Sequence, residues 1–124
     1  MRRSILIADD DDAIRQVMRI ALQQAGYDVC EATNGAEAIR AMHATPFDLV
    51  ITDVLMPESD GLEMIMHVRR QNPNIKVLAI SGADNALFLA NAAGLGATQV
   101  LRKPFRVSAL LTLVADLLPA PTRT

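Results

Sequence analysis

Apolar residues follow two rhythms along this chain. Short runs without polar alternation, at Ile5 to Ala8, Leu49 to Thr52, Lys76 to Ile80 and Thr98 to Leu101, have the length and β-branched content of strands covered on both faces. A weaker strand is expected at Asp28 to Glu31. Between the strands, apolar positions recur at three- and four-residue steps, as on one face of a helix. Ile14, Val17, Met18, Ala21, Leu22 and Ala25 form such a face, and Gly26 stands where a C-terminal cap belongs. Asn34 with Glu37, and Asp60 with Glu63, have capping-box spacing. They open helices carrying Ile39 and Met42, and Leu62, Ile65 and Met66, closed by Pro46 and Pro73. Asp84 caps a predicted fourth helix to about Ala93, ended by Gly94 and Gly96. The last helix carries Leu110, Leu111, Val114, Leu117 and Leu118, and residues 119–124 read as a frayed tail.

Five strand–loop–helix units of this kind predict an α/β fold, a parallel sheet with helices on both faces. At 124 residues the chain forms one domain spanning 1–124, with no repeat or linker and no room for an output domain. An apolar content of 51% with 21% charged residues fits a packed globule. The net charge of −2 gives no electrostatic case for nucleic acid, and Tyr27, Phe47, Phe88 and Phe105 are too few for a base-stacking platform. No apolar run reaches the roughly 18 residues of a membrane span. Asp9 to Asp12 interrupt the start too early for a signal peptide, so a cytoplasmic location is expected. Cys30, the single cysteine, excludes an internal disulfide and reads as a small core residue. His43 and His67 fall in separate helices with no second ligand at metal spacing, and both are expected at the surface.

In open parallel sheets, ligands bind at the carboxyl ends of the strands. Four of the five expected ends carry matching chemistry: Asp9 with Asp10, Asp53, Ser81 and Lys103. A helix N-terminus accounts for Asp11 and Asp12 but leaves Asp9 and Asp10 unexplained. Bringing these acids close to Asp53 is repulsive, so a compensating cation is expected. Asp9, Asp10 and Asp53 form an all-oxygen set suited to Mg²⁺. Asp53 itself could serve as metal ligand or as nucleophile. Lys103, one of two lysines, offers a point cation for a carboxylate or a phosphoryl group, and Ser81 offers a hydroxyl donor.

With these residues in place, the chain resembles the receiver domains of two-component response regulators, the CheY-like type. The resemblance runs from Ile5 to Leu118. It rests on Ile-Leu-Ile-Ala-Asp9-Asp10, on Asp48-Leu-Val-Ile-Thr-Asp53-Val-Leu-Met56-Pro57 with Asp60-Gly61, and on Ala79-Ile-Ser81-Gly82, Gly96-Ala97 and Lys103-Pro104-Phe105. It implies a doubly wound (βα)5 domain, flavodoxin-like, with strand order 2-1-3-4-5. Asp53 would accept a phosphoryl group from a phosphohistidine on a sensor histidine kinase or a histidine phosphotransfer protein. Asp10, Asp53 and the backbone carbonyl of Leu55 would bind Mg²⁺ directly, with Asp9 acting through water. Lys103 and the Ser81-Gly82 strand end would contact the phosphoryl oxygens, and Lys103-Pro104 would be a cis peptide. The protein would catalyse its own phosphorylation and dephosphorylation only, without being a conventional enzyme. A surface containing Phe88, Val100 and Phe105, on the fourth helix, fifth strand and fifth helix, would meet a downstream protein or a second copy.

Three positions depart from the family pattern. Val100 stands where receivers usually carry an aromatic reporter, which predicts a switch carried by the Ser81 loop and the fourth helix. Leu55 and Ala83, two residues beyond Asp53 and Ser81, offer no side-chain help to a hydrolytic water, which predicts a long-lived phosphoaspartate. Leu55 also argues against a phosphatase of the haloacid-dehalogenase type, which needs an acid there. Four carboxylates after the first strand argue against a flavodoxin-like cofactor site. The remaining alternative is a receiver-shaped docking module that is never phosphorylated.

Overall fold

The computed structural model describes residues 2–54, 61–82 and 96–118, the side chains of 61 and 62 excepted. The elements are β1 (Ser4–Ala8), α1 (Asp12–Gln24), β2 (Asp28–Ala32), α2 (Gly35–Ala44), β3 (Leu49–Asp53), α3 (Gly61–Gln71), β4 (Lys76–Gly82), β5 (Gln99–Lys103) and α4 (Val107–Leu117). The predicted fourth helix, the cap at Asp60, Leu55, Ala83 and Phe88 all lie outside the described residues. All five strands are parallel, in the order β2-β1-β3-β4-β5.

Strand periodicity divides the core into two layers. Leu6, Ala8, Val50, Val77 and Ala79 face one side and pack against Ala38 of α2 and Met64, Ile65 and Val68 of α3. Ile5, Ile7, Leu49, Ile51, Leu78 and Ile80 face the other, against Met18 and Leu22 of α1 and Leu110 and Val114 of α4. Helices therefore cover both faces, as a doubly wound sheet requires.

The helix ends explain where the chain turns. Asp11 caps α1, its Oδ1 accepting from the amides of Ala13 (3.0 Å) and Ile14 (3.1 Å). Gly26, at φ +101°, takes the left-handed conformation that ends α1. Asn34 Oδ1 accepts from the Glu37 amide at 2.9 Å, and Glu37 Oε1 reaches back to the amide and hydroxyl of Thr33, at 2.7 and 2.6 Å. The box thus closes one residue further out than its usual form.

Four expectations need correction. Val17 of α1 is half exposed and Met66 of α3 is 42% exposed, because both helices are apolar enough to offer more than one face and the sheet takes only one. Cys30 is exposed, since it lies on β2 at the edge of the sheet, where only part of the strand is covered. The fourth and fifth strands each end two residues later than expected, at Gly82 and Lys103, because their ladder continues to that point. His43 and His67 do lie in separate helices, but packing of α2 on α3 brings their ring centroids to 5.6 Å. Among the described residues, no helix is long and apolar enough to cross a membrane.

Candidate functional site

Register delivers the site. Ala8 pairs with Thr52 and Asp53 with Ile80, while Ser81 and Gly82 pair with Arg102 and Lys103. The carboxyl ends of β1, β3, β4 and β5 therefore converge at one end of the sheet. Asp9 is fully buried, Asp53 nearly so, and Asp10 is exposed. One carboxylate oxygen from each of the three lies within 4.8 Å of the others.

Lys103 answers the repulsion expected from these acids. Its ammonium donates to Asp53 Oδ2 at 2.8 Å and to Asp9 Oδ2 at 3.0 Å. The same Asp9 carboxylate takes the Asp11 amide on Oδ1 at 2.9 Å. Burial raises the pKa of Asp9 above the ordinary carboxylate value, against the lowering effect of the Asp11 amide and Lys103. Burial alone would depress Lys103, but hydrogen bonds to Asp53 and Asp9 outweigh it and hold the ammonium charged. Lys103 thus bonds two of the three clustered carboxylates, and the third, Asp10, is exposed.

That donor set fits a hard divalent cation: oxygen ligands only, few in number, open to solvent at Asp10. Ser81 adds a second indication. Its hydroxyl oxygen is buried and has no hydrogen-bond partner among the described residues. Buried polar groups are nearly always satisfied, so an orphaned hydroxyl beside a charged crevice marks a place for an incoming acceptor.

Arginine 15 is a supporting residue that the sequence pattern does not single out. Its guanidinium donates to the Asp9 carbonyl at 2.8 Å and to Glu31 at 3.1 Å, and pairs with Asp12. It braces the turn carrying Asp9 and Asp10 from α1 and β2 at once. An i,i+3 pair with Asp12 is visible in sequence, but the reach to β2 is not.

Beside the crevice lies a groove of about 480 Å³, lined by Ala13, Ile14, Val17, Pro104, Phe105 and Val107, with Lys103 at its edge. The half-exposed Val17 belongs here. The Lys103-Pro104 peptide is cis. Of the expected partner surface, Val100 is 36% exposed, whereas Phe105 is partly buried against the α1 and α4 side of the core. Gly82 is partly buried at the end of β4.

Comparison with known proteins agrees with this geometry. Residues 5–115 match the family model of the response regulator receiver domain. The DNA-binding transcriptional regulator NtrC of Rhizobium meliloti is 37% identical over 120 residues, which cover 97% of this chain and 25% of that protein. The chain therefore spans about a quarter of the length of such relatives. The response regulator receiver protein CpdR of Brucella abortus is 33% identical over 118 residues, covering 95% of this chain and 98% of that one. The crystal structure of the receiver domain of NtrX from Brucella abortus superposes with a TM-score of 0.89 at 28% identity, covering 94% of this chain and 99% of that chain.

Proposed function

The chain belongs to the response regulator receiver domain family, and from that premise we propose that it is a phosphoacceptor switch in which Asp53 receives a phosphoryl group from a phosphohistidine. The observation that carries this reading is the Lys103 ammonium bridging Asp9 and Asp53 next to the Ser81 hydroxyl, which has no partner among the described residues.

The chemistry asks little covalent help of the protein and much positioning. Asp53 attacks phosphorus with a carboxylate oxygen; the new P–O bond forms as the P–N bond to the donor imidazole breaks, and that imidazole takes a proton from water. Lys103, bonded to Asp53 Oδ2, fixes the plane of the nucleophile and lies ready to meet a phosphoryl oxygen. Ser81 donates its hydroxyl to another. Asp10 and Asp53, with Asp9 through water, would hold Mg²⁺, which supplies neutralisation of the phosphoryl charge that three carboxylates would otherwise repel. Burial of Asp9 and Asp53 keeps the field of these groups unscreened.

A phosphohistidine must come from a macromolecule resting close to the crevice. The groove of Ala13, Ile14, Val17, Pro104, Phe105 and Val107 offers apolar surface directly beside Lys103. It suits a helical histidine kinase or phosphotransfer protein. Drawing Ser81 onto the phosphoryl group would then move the end of β4, biasing a two-state surface toward a downstream protein.

Incubation with a small-molecule phosphodonor, with and without Mg²⁺, followed by mass spectrometry tests the proposal. An adduct on Asp53 that requires Mg²⁺ and disappears in Asp53→Asn is expected. Absence of any adduct under both conditions would overturn it in favour of a docking module that is never phosphorylated.

A further inference from the structure

At the opposite end of the sheet the two histidines share a hollow of about 420 Å³, bounded also by Phe47, Gln71, Asn72 and Ile75. Phe47 and Ile75 just precede β3 and β4, whereas Asp53 and Ser81 close them. Five strand residues separate the two ends, roughly 16 Å at the usual rise. This hollow and the carboxylate crevice are therefore separate places.

His43 sits in the last turn of α2 and His67 one turn before the end of α3. Their ring centroids lie 5.6 Å apart with the planes tilted by 48°. Among the described residues neither ring has a hydrogen-bond partner, so their nitrogens are open to a ligand. Two imidazoles bound to one tetrahedral ion at a metal–nitrogen distance of about 2.0 Å have centroids on the order of 5 Å apart. Small χ rotations close the difference.

We propose that His43 and His67 form a second metal site, selective for a borderline divalent transition ion such as Ni²⁺, Zn²⁺ or Cu²⁺, with solvent completing its coordination. Imidazole donors favour these ions and leave Mg²⁺ to oxygen ligands, so the two ends of the sheet discriminate by ligand hardness. His43, in the last turn of α2, lies at the negative end of that helix's dipole. Burial, then the neighbouring His43 and Arg70, hold the pKa of His67 below its usual value, which keeps that ring in its neutral, ligating form. Arg70 adds positive charge nearby, so binding rests on the imidazole donors rather than on the local field. An ion held there ties α2 to α3.

Nickel titrated into the protein in excess Mg²⁺ tests this, read by the ring and amide resonances. A Cys30→Ser background removes the exposed thiol as a competitor. One equivalent of Ni²⁺ is expected to broaden signals of His43, His67 and their helical neighbours first. His43→Asn and His67→Asn, each with an unchanged melting temperature in chelator, should each weaken binding about tenfold or more. Broadening centred on Asp10 and Asp53, or affinity indifferent to both substitutions, would overturn the proposal. The paramagnetic map on the unsubstituted protein decides the matter even if a variant folds poorly.

Discussion

Two polar residues, Arg69 and Ser81, stand at opposite ends of the sheet and are used in opposite ways. At the amino end, Arg69 of α3 makes four hydrogen bonds. It donates to the carbonyls of Gly96 (2.7 Å), Pro73 (3.1 Å) and Ile75, and to Thr98 Oγ1 at 3.1 Å. Thr98 in turn accepts from the Val77 amide at 3.0 Å. Gly96, at φ +121°, takes a backbone conformation that other residues rarely adopt, and a Cβ there would also come within 2.6 Å of the Arg69 side chain. One guanidinium thus bolts α3 to the starts of β4 and β5. At the carboxyl end, one ammonium bridges Asp9 and Asp53, and the buried Ser81 hydroxyl has no partner among the described residues. Arg69 thus contributes stability at the amino end, whereas Ser81 leaves hydrogen-bonding capacity unused at the carboxyl end.

If that division is real, substitutions at the two ends should separate stability from activity. The largest effect on stability belongs to Arg69→Met, which keeps the aliphatic stem and removes four hydrogen bonds. A loss of about 3 kcal/mol is expected, since bonds from a charged donor contribute roughly 1.5–3 kcal/mol each and do not add fully. Chemical denaturation measures it. Phosphoryl acceptance per folded molecule should be unchanged. A variant of full stability would show that the amino end is held by apolar packing alone.

The converse substitution is Ser81→Ala. It deletes a hydroxyl that bonds nothing among the described residues, so stability should stay level or rise slightly. Phosphorylation by a small-molecule donor should slow by roughly 100-fold, the usual cost of removing one preorganised donor. A fall in stability without a fall in rate would reverse the assignment of the two ends.

How much of this was open to a reader of the sequence depends on the range of the interaction. The strands were legible because β-branched runs flanked by turns admit few other forms, and Asn34 with Glu37 declared a helix start within four residues. The site groups were legible as strand-end chemistry, because Asp9, Asp53, Ser81 and Lys103 each stand at or within two residues of the end of an apolar run. Contacts made by packing were not. Arg69 looks like any solvent-facing arginine until β4 and β5 bring Ile75, Gly96 and Thr98 to it. His43 and His67 meet only through the α2–α3 interface. In α1 and α3 the apolar positions outnumber those a single face can hold, which left Val17 and Met66 assigned inward. Asp9 and Asp10 are adjacent and identical, yet one is buried and the other exposed, because the chain leaves the sheet between them.

The smallest expected effect is also the most direct comparison of a working carboxylate with a structural one. Burial raises Asp9 above its ordinary 3.8, while hydrogen bonds from the Thr33 hydroxyl and amide lower Glu37 below its ordinary 4.5. A raised carboxyl pKa means that the charged form is disfavoured by folding. Asp9 therefore lowers stability at neutral pH, and the penalty is relieved as pH falls through its folded value toward 3.8. Glu37 has the opposite sign: its contribution is complete above 4.5 and is lost as pH falls below that through its depressed folded value. In metal-free buffer at neutral pH, Asp9→Asn should raise the melting temperature and Glu37→Gln should lower it. Both differences should shrink on acidification, that of Asp9 at pH values above 3.8 and that of Glu37 at values below 4.5. Should Asp9→Asn lower stability as Glu37→Gln does, Lys103 more than compensates the burial of its partner, and the carboxyl end is as well bolted as the amino end.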